Sequence, residues 1–105
     1  MYLRLCSIGD VPKSGMRQFD LRDREFLVVE LNGEFFCLDG RCTHAGAPLA
    51  EGHLANKILT CPWHYSQFDV TTGSVVRGPA EKSLELFRMK IESGQIFIDL
   101  PPDEE

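Results

Sequence analysis

Two short stretches constrain this chain more than any other feature of it. Cys42-Thr43-His44 and Cys61-Pro62-Trp63-His64 each set one sulfur and one imidazole close together, with sixteen residues between His44 and Cys61. If the four donors serve one centre, the two loops must lie side by side, and the rest of the chain must fold to bring them there. Their neighbours are small or rigid: Ala45, Gly46, Ala47 and Pro48 after the first pair, Pro62 inside the second. Bulk is thereby kept away, so backbone N–H groups can approach whatever sits between the loops.

Two kinds of metal centre fit. A tetrahedral zinc ion accepts two Cys and two His in any order. A two-iron, two-sulfide cluster needs four terminal ligands, two for each iron. Loops lying side by side can sort these by layer, both sulfurs to one iron and both imidazoles to the other, which is the Rieske arrangement. Familiar zinc fingers pair Cys with Cys and His with His along the chain, whereas this sequence alternates them. The alternation favours the cluster, and a structural zinc module is the non-redox alternative.

Around the two loops the chain reads as short strands. Residues 25–39 form an expected β-hairpin turning at Asn32-Gly33, a strong signal for a turn with positive φ at both central residues. A strand is expected over 2–8, another begins at 57, and 66–80 reads as strand, Thr-Gly turn, strand and Gly-Pro loop. Residues 84–100 form a second hairpin turning at Ser93-Gly94, its Phe and Ile residues expected in the core. No long 3.6-residue periodicity interrupts the pattern. Strand spacing of this kind predicts an all-β antiparallel sandwich or barrel. The segment from about 40 to 79 is richer in Gly, Pro, Ala and Thr. It is expected to be a small subdomain inserted into a base made of 1–39 and 80–105. Metal binding should supply much of its order.

The chain has 11 basic and 16 acidic residues, a net charge of −5. This argues against nonspecific nucleic-acid binding, which uses basic patches to displace counterions, and suits a partner with a basic face. The acidic tail 101–105 adds negative charge at one end. No apolar run at the start is long enough for a signal peptide or membrane anchor, so a cytoplasmic location is expected. In a reducing compartment, Cys in motif spacing means metal or redox chemistry before disulfides.

The stretches "CTHAGAPLAEG" and "CPWHYSQFDVTTGSVVRGPA", with "DGRCTH" ahead of the first pair, resemble the soluble Rieske-type ferredoxins. The resemblance covers essentially the whole chain. It implies a β-sandwich base carrying a cluster-binding subdomain and one [2Fe-2S] cluster. It also implies a one-electron carrier, not itself an enzyme, that takes electrons from a flavin-dependent NAD(P)H reductase to a terminal oxygenase of the dioxygenase type. By motif position Cys42 and Cys61 would hold the inner iron and His44 and His64 the outer one. Ser66, Trp63 and Gly46 would lie around the cluster, with Gly78-Pro79 closing over it. A small subunit of an assimilatory nitrite reductase is the alternative within the same family. Two features differ from the high-potential respiratory relatives. Ala47 and Trp63 stand where those carry a loop disulfide, and Phe68 replaces a Tyr whose hydroxyl bonds the cluster side, although Ser66 is kept.

The remaining candidates have plainer readings. His53 reads as a polar loop residue. With His44 and His64 used by the cluster, it cannot complete the two-histidine, one-carboxylate set of a mononuclear oxygenase iron. Cys6 and Cys37 sit in strand-like runs and read as buried packing rather than reactive thiols. Trp63 shields its loop or meets a partner, and Tyr65 is placed on the rim that a partner covers.

Overall fold

The computed structural model describes residues 1–102, so Asp103, Glu104 and Glu105 of the acidic tail lie outside the described residues. Among these residues the chain forms eleven strands in three antiparallel sheets and two short 3-10 turns, Ile8–Asp10 and Leu49–Glu51. The strands are β1 (Tyr2–Ser7), β2 (Met16–Leu21), β3 (Arg24–Leu31), β4 (Glu34–Asp39), β5 (His53–Ala55) and β6 (Ile58–Thr60), followed by β7 (Gln67–Asp69), β8 (Val75–Arg77), β9 (Leu86–Phe87), β10 (Met89–Glu92) and β11 (Gln95–Asp99). One sheet runs β1-β11-β10, a second β2-β3-β4-β9, and a third β5-β6-β7-β8. The all-β antiparallel expectation holds, and the third sheet lies wholly within 53–77.

The central strand explains the stacking. In β3, Phe26, Leu27, Val28 and Val29 are all fully buried. Successive side chains point to opposite faces of a sheet, so four buried neighbours in a row mean that both faces are covered. Phe26 and Val28 join Cys37 and Phe87 in packing against Cys6, Ile96, Ile98 and Leu100 of the first sheet and the chain that follows it. Leu27, Val29 and Leu38 pack on the opposite side, against Leu49, Leu59, Phe68 and Val70. The second sheet is therefore the middle layer, shared by two cores. Cys6 and Cys37 are both free and buried. Burial raises their thiol pKa values to about 11 and about 12, respectively.

Several local expectations are refined. Asn32 and Gly33 both have positive φ, as the hairpin turn requires, and Ser93-Gly94 repeats the device. Strand β2 was not foreseen, because its turn to β3 uses Arg22-Asp23, both at positive φ without a glycine to mark them. The 84–100 stretch is not one hairpin. Leu86 and Phe87 pair with β4 in the middle sheet, and after Arg88 the chain crosses to the first sheet for β10 and β11. As a result Ile91, expected in the core, is exposed at 46%, and Leu86 is exposed at 40%. Each lies on an edge strand of its sheet, where only one side has a neighbour. The turn from β7 to β8 is built on Asp69, whose carboxylate accepts from the Thr71 amide and hydroxyl at 2.9 and 2.6 Å.

The shared core bears on the expectation that metal orders the whole of 40–79. Leu49, Leu59, Phe68 and Val70 pack onto the base through apolar contacts, and burial of side chains this size stabilises by about 1.5–3 kcal/mol each. Removing the metal is therefore expected to leave amides of β6 and β7 protected and to expose those of 42–48 and 61–66. Hydrogen exchange on metal-free protein reads this directly. Loss of protection throughout 53–77 would show that the centre, not the apolar core, holds the third sheet.

Candidate metal centre

The first donor loop leaves β4 at Gly40 and is closed by its own main chain. The Cys42 N–H donates to the Ala47 carbonyl and the Gly46 N–H to the Cys42 carbonyl, both at 2.9 Å. Gly46 sits at φ +73°, a left-handed conformation that glycine adopts without a Cβ penalty. Arg41 ties the loop down: its Nη1 donates to the Gly46 carbonyl at 3.1 Å, and its Nε to Glu25 on β3 at 3.0 Å. The Arg41 guanidinium holds the Glu25 carboxyl below the usual carboxylate range, chiefly through this hydrogen bond.

The second loop leaves β6 and is closed by the Cys61 N–H donating to the Ser66 carbonyl at 2.8 Å. It turns through two consecutive left-handed residues, His64 and Tyr65, at φ +62° and +63°. Bulky residues rarely hold this conformation, which costs roughly 1–2 kcal/mol each. Across this turn the chain passes from the buried Cys61 to the exposed His64.

The result is a layered set of donors. Cys42 and Cys61 are buried at 4% and 0% exposure within the core that joins the second and third sheets. His44 and His64 are exposed, their rings edge to face with centroids 5.2 Å apart. Burial pushes the Cys61 thiol up to about 11; the Trp63 backbone N–H pulls it down, and the adjacent Cys42 thiol raises it further. Thiol ligands bind metals as thiolates, so a metal here would have to displace the Cys61 proton. His53 stands on β5, exposed and paired with Thr60, outside the edge-to-face imidazole pair. Among the described residues no group of three or more His, Cys, Asp or Glu is placed to hold a single metal ion. The donors stand as two pairs.

The other expected residues fall around this set. Ser66 is fully buried, and its hydroxyl oxygen accepts from the Ala80 N–H at 2.9 Å. Trp63 and Tyr65, which flank His64 in the chain, are exposed at 48% and 70%. Pro79 follows a cis peptide bond and is exposed. Phe68 is buried in the core and offers no hydroxyl, and the Ala47 carbonyl closes the first loop. Arg41, Glu25 and Thr43 also belong to this site, with no mark in the sequence to single them out. Arg41 and Thr43 flank Cys42, but only the fold supplies their partners.

Two thiols beneath two imidazoles, on adjacent loops of a β-protein, fit a two-iron cluster with its sulfur ligands inside and its nitrogen ligands outside, and this donor set defines an iron–sulfur protein of the mixed Cys/His class. Residues 1–88 match the Rieske [2Fe-2S] domain, and the chain belongs to that family, whose cofactor is one Rieske-type [2Fe-2S] cluster. It is 34% identical to the ferredoxin component of biphenyl 2,3-dioxygenase from Rhodococcus jostii over 92% of this chain and 91% of that protein. It is also 36% identical to human apoptosis-inducing factor 3 over 90% of its length, but spans only 16% of that much longer protein. Among solved structures, the Sphingomonas yanoikuyae B1 ferredoxin superimposes with a TM-score of 0.90 at 30% identity, covering 96% of this chain and all of that one. The ferredoxin in the complex of reduced oxygenase and oxidised ferredoxin of carbazole 1,9a-dioxygenase gives 0.87 at 25% identity, over 99% and 97% of the two chains.

Proposed function

We propose that this chain is a one-electron carrier rather than an enzyme in its own right. In this reading Cys42 and Cys61 hold the inner iron of the [2Fe-2S] cluster, and His44 and His64 hold the outer iron. The flavin-dependent NAD(P)H reductase and the terminal oxygenase of an oxygenase system are its transient partners, met in the cytoplasm. The observation that carries the reading is the layering: thiols in the core, imidazoles at the surface beside two exposed aromatic side chains. When bound, the cluster supplies one-electron redox chemistry. The protein supplies donors, a fixed spacing and a route to the surface through the imidazole edges. Likeness to ferredoxin components of dioxygenase systems, and to a ferredoxin seen with its oxygenase, supports the partner assignment.

Tyr65 bears on docking. A bulky residue stands at a left-handed position that glycine would hold with less strain, and Tyr65 is 70% exposed next to His64 in the chain. Exposed aromatic residues are common anchors at protein interfaces. Tyr65→Gly is expected to raise the carrier concentration that half-saturates the oxygenase by about tenfold, the loss of a modest anchor, while leaving the midpoint potential in place. Steady-state titration of oxygenase turnover with carrier measures the first and voltammetry the second. Unchanged half-saturation would remove Tyr65 from the docking surface.

The potential tests the role itself. Rieske centres span about −150 to +300 mV, and hydrogen bonds to the sulfurs help set the value. A donor to sulfur favours the more negative, reduced state, so a missing donor lowers the potential. Phe68 has no hydroxyl and Ala47 and Trp63 form no disulfide, so voltammetry at neutral pH should give a midpoint near or below zero. A midpoint above roughly +200 mV would contradict a carrier that feeds an oxygenase.

A further inference from the structure

Among the described residues, no main-chain hydrogen bond joins one donor loop to the other. Loop 40–48 closes on itself through Cys42, Gly46 and Ala47, and loop 61–66 closes on itself through Cys61 and Ser66. Yet their donors must keep a fixed separation if they are to span one cluster. Both loops do reach a common third segment, 78–84, which leaves β8 and returns toward the middle sheet. The Thr43 hydroxyl donates to the Lys82 carbonyl at 2.5 Å. The Ala80 N–H donates to the Ser66 hydroxyl oxygen at 2.9 Å. Thr43 lies between Cys42 and His44, and Ser66 lies two residues after His64. Each loop thus sends one hydroxyl to the same strap, at positions only two residues apart.

The strap is anchored at its far end as well. The Leu84 N–H donates to the Gly73 carbonyl at 2.8 Å. Gly73 is at φ +82°, and a Cβ there would lie 2.3 Å from the Leu84 carbonyl oxygen. Ala80 and Leu84 are themselves buried in the core that contains Cys42 and Cys61. A strap pinned at both buried points behaves as a spacer rather than as a loose loop.

We propose that Thr43 and Ser66 act as one positioning unit, clamping both donor loops to the 80–82 strap and thereby setting the distance between the Cys42/His44 and Cys61/His64 pairs. This rests on the reading that these four residues hold the cluster. The two bonds differ in a way that makes the claim testable. The Ser66–Ala80 bond is buried, so its loss leaves an orphaned amide, a local cost in any account. The Thr43–Lys82 bond is exposed, so on its loss water can replace the hydroxyl at the carbonyl. If each bond acted only locally, Thr43→Val would be nearly silent. If the bonds are a clamp, breaking either one frees its loop from the other, and breaking the second adds little.

The test uses the cluster-loaded protein. Cluster loss to an iron chelator is followed by visible absorbance for wild type, Thr43→Val, Thr43→Ser, Ser66→Ala and the Thr43→Val/Ser66→Ala double variant. Each single loss of hydroxyl is expected to speed cluster loss about tenfold, and the double variant to stay within about threefold of the faster single, where independent effects would multiply to about a hundredfold. Thr43→Ser, which keeps the hydroxyl, should match wild type. The g values of the reduced centre should shift in Thr43→Val and not in Thr43→Ser, a change that mere loss of stability would not produce. Multiplying effects, a silent Thr43→Val, or a Thr43→Ser as labile as Thr43→Val would overturn the clamp. If Thr43→Val purifies without a cluster, a fully loaded Thr43→Ser supports the proposal and an empty one overturns it. Wild type lacking both iron and acid-labile sulfide would instead sink the cluster reading beneath it.

Discussion

Replacing His64 or His44 by alanine is expected to abolish the low-temperature EPR signal of the reduced centre, and His53→Ala to leave it intact. The two imidazoles stand edge to face 5.2 Å apart on the exposed side of the donor set, and no other histidine shares that position. Alanine offers no donor in either place, so a cluster held by these residues would lose one of its four protein ligands. His53 sits on β5, exposed and paired with Thr60. Iron and acid-labile sulfide content, read beside the spectrum, separates loss of the cluster from a change in its ligands. A normal signal in His64→Ala would remove His64 from the ligand set.

Phe68→Ala is expected to cost about 3–5 kcal/mol, the usual range for truncating a buried aromatic residue. Phe68 is fully buried on β7, paired with Leu59 on one side and Val75 on the other. It belongs to the core that also holds Leu27, Val29 and Leu38 of the middle sheet and the two cysteines of the donor set. Truncation opens a cavity between the third sheet and the base. Against a typical total of about 5–15 kcal/mol this is a large fraction, so the urea midpoint should fall sharply and the cluster should become labile under mild denaturant. An unchanged midpoint would mean that the third sheet contributes little to the cooperative fold.

The family and its cofactor were legible in the chain. Two Cys-His pairs with small and rigid neighbours point to a metal centre on two loops, and their alternation favours a layered two-iron site over zinc. The hairpins at Asn32-Gly33 and Ser93-Gly94 were equally plain, because each turn carries a residue suited to positive φ. Strand β2 was not, since Arg22 and Asp23 adopt the same conformation without a sequence mark. The run Phe26-Leu27-Val28-Val29 held more than was drawn from it: unbroken apolar character signals burial on both faces, and the three-layer stack follows from that.

What no local pattern contains is the pairing of distant groups. Arg41 reaches Glu25 on β3 and Thr43 reaches Lys82 on the 78–84 strap because segments formed elsewhere carry those partners into place. Leu86 and Ile91 look like core residues, yet lie exposed because β9 and β10 are edge strands of their sheets, and an edge is defined by its neighbours rather than by its own composition. Ligand chemistry is a property of residue type and spacing, so it is written locally. The hydrogen bonds from Thr43 to Lys82, from Ala80 to Ser66 and from Leu84 to Gly73 join parts far apart in the chain, and they come into being only when the whole chain has folded.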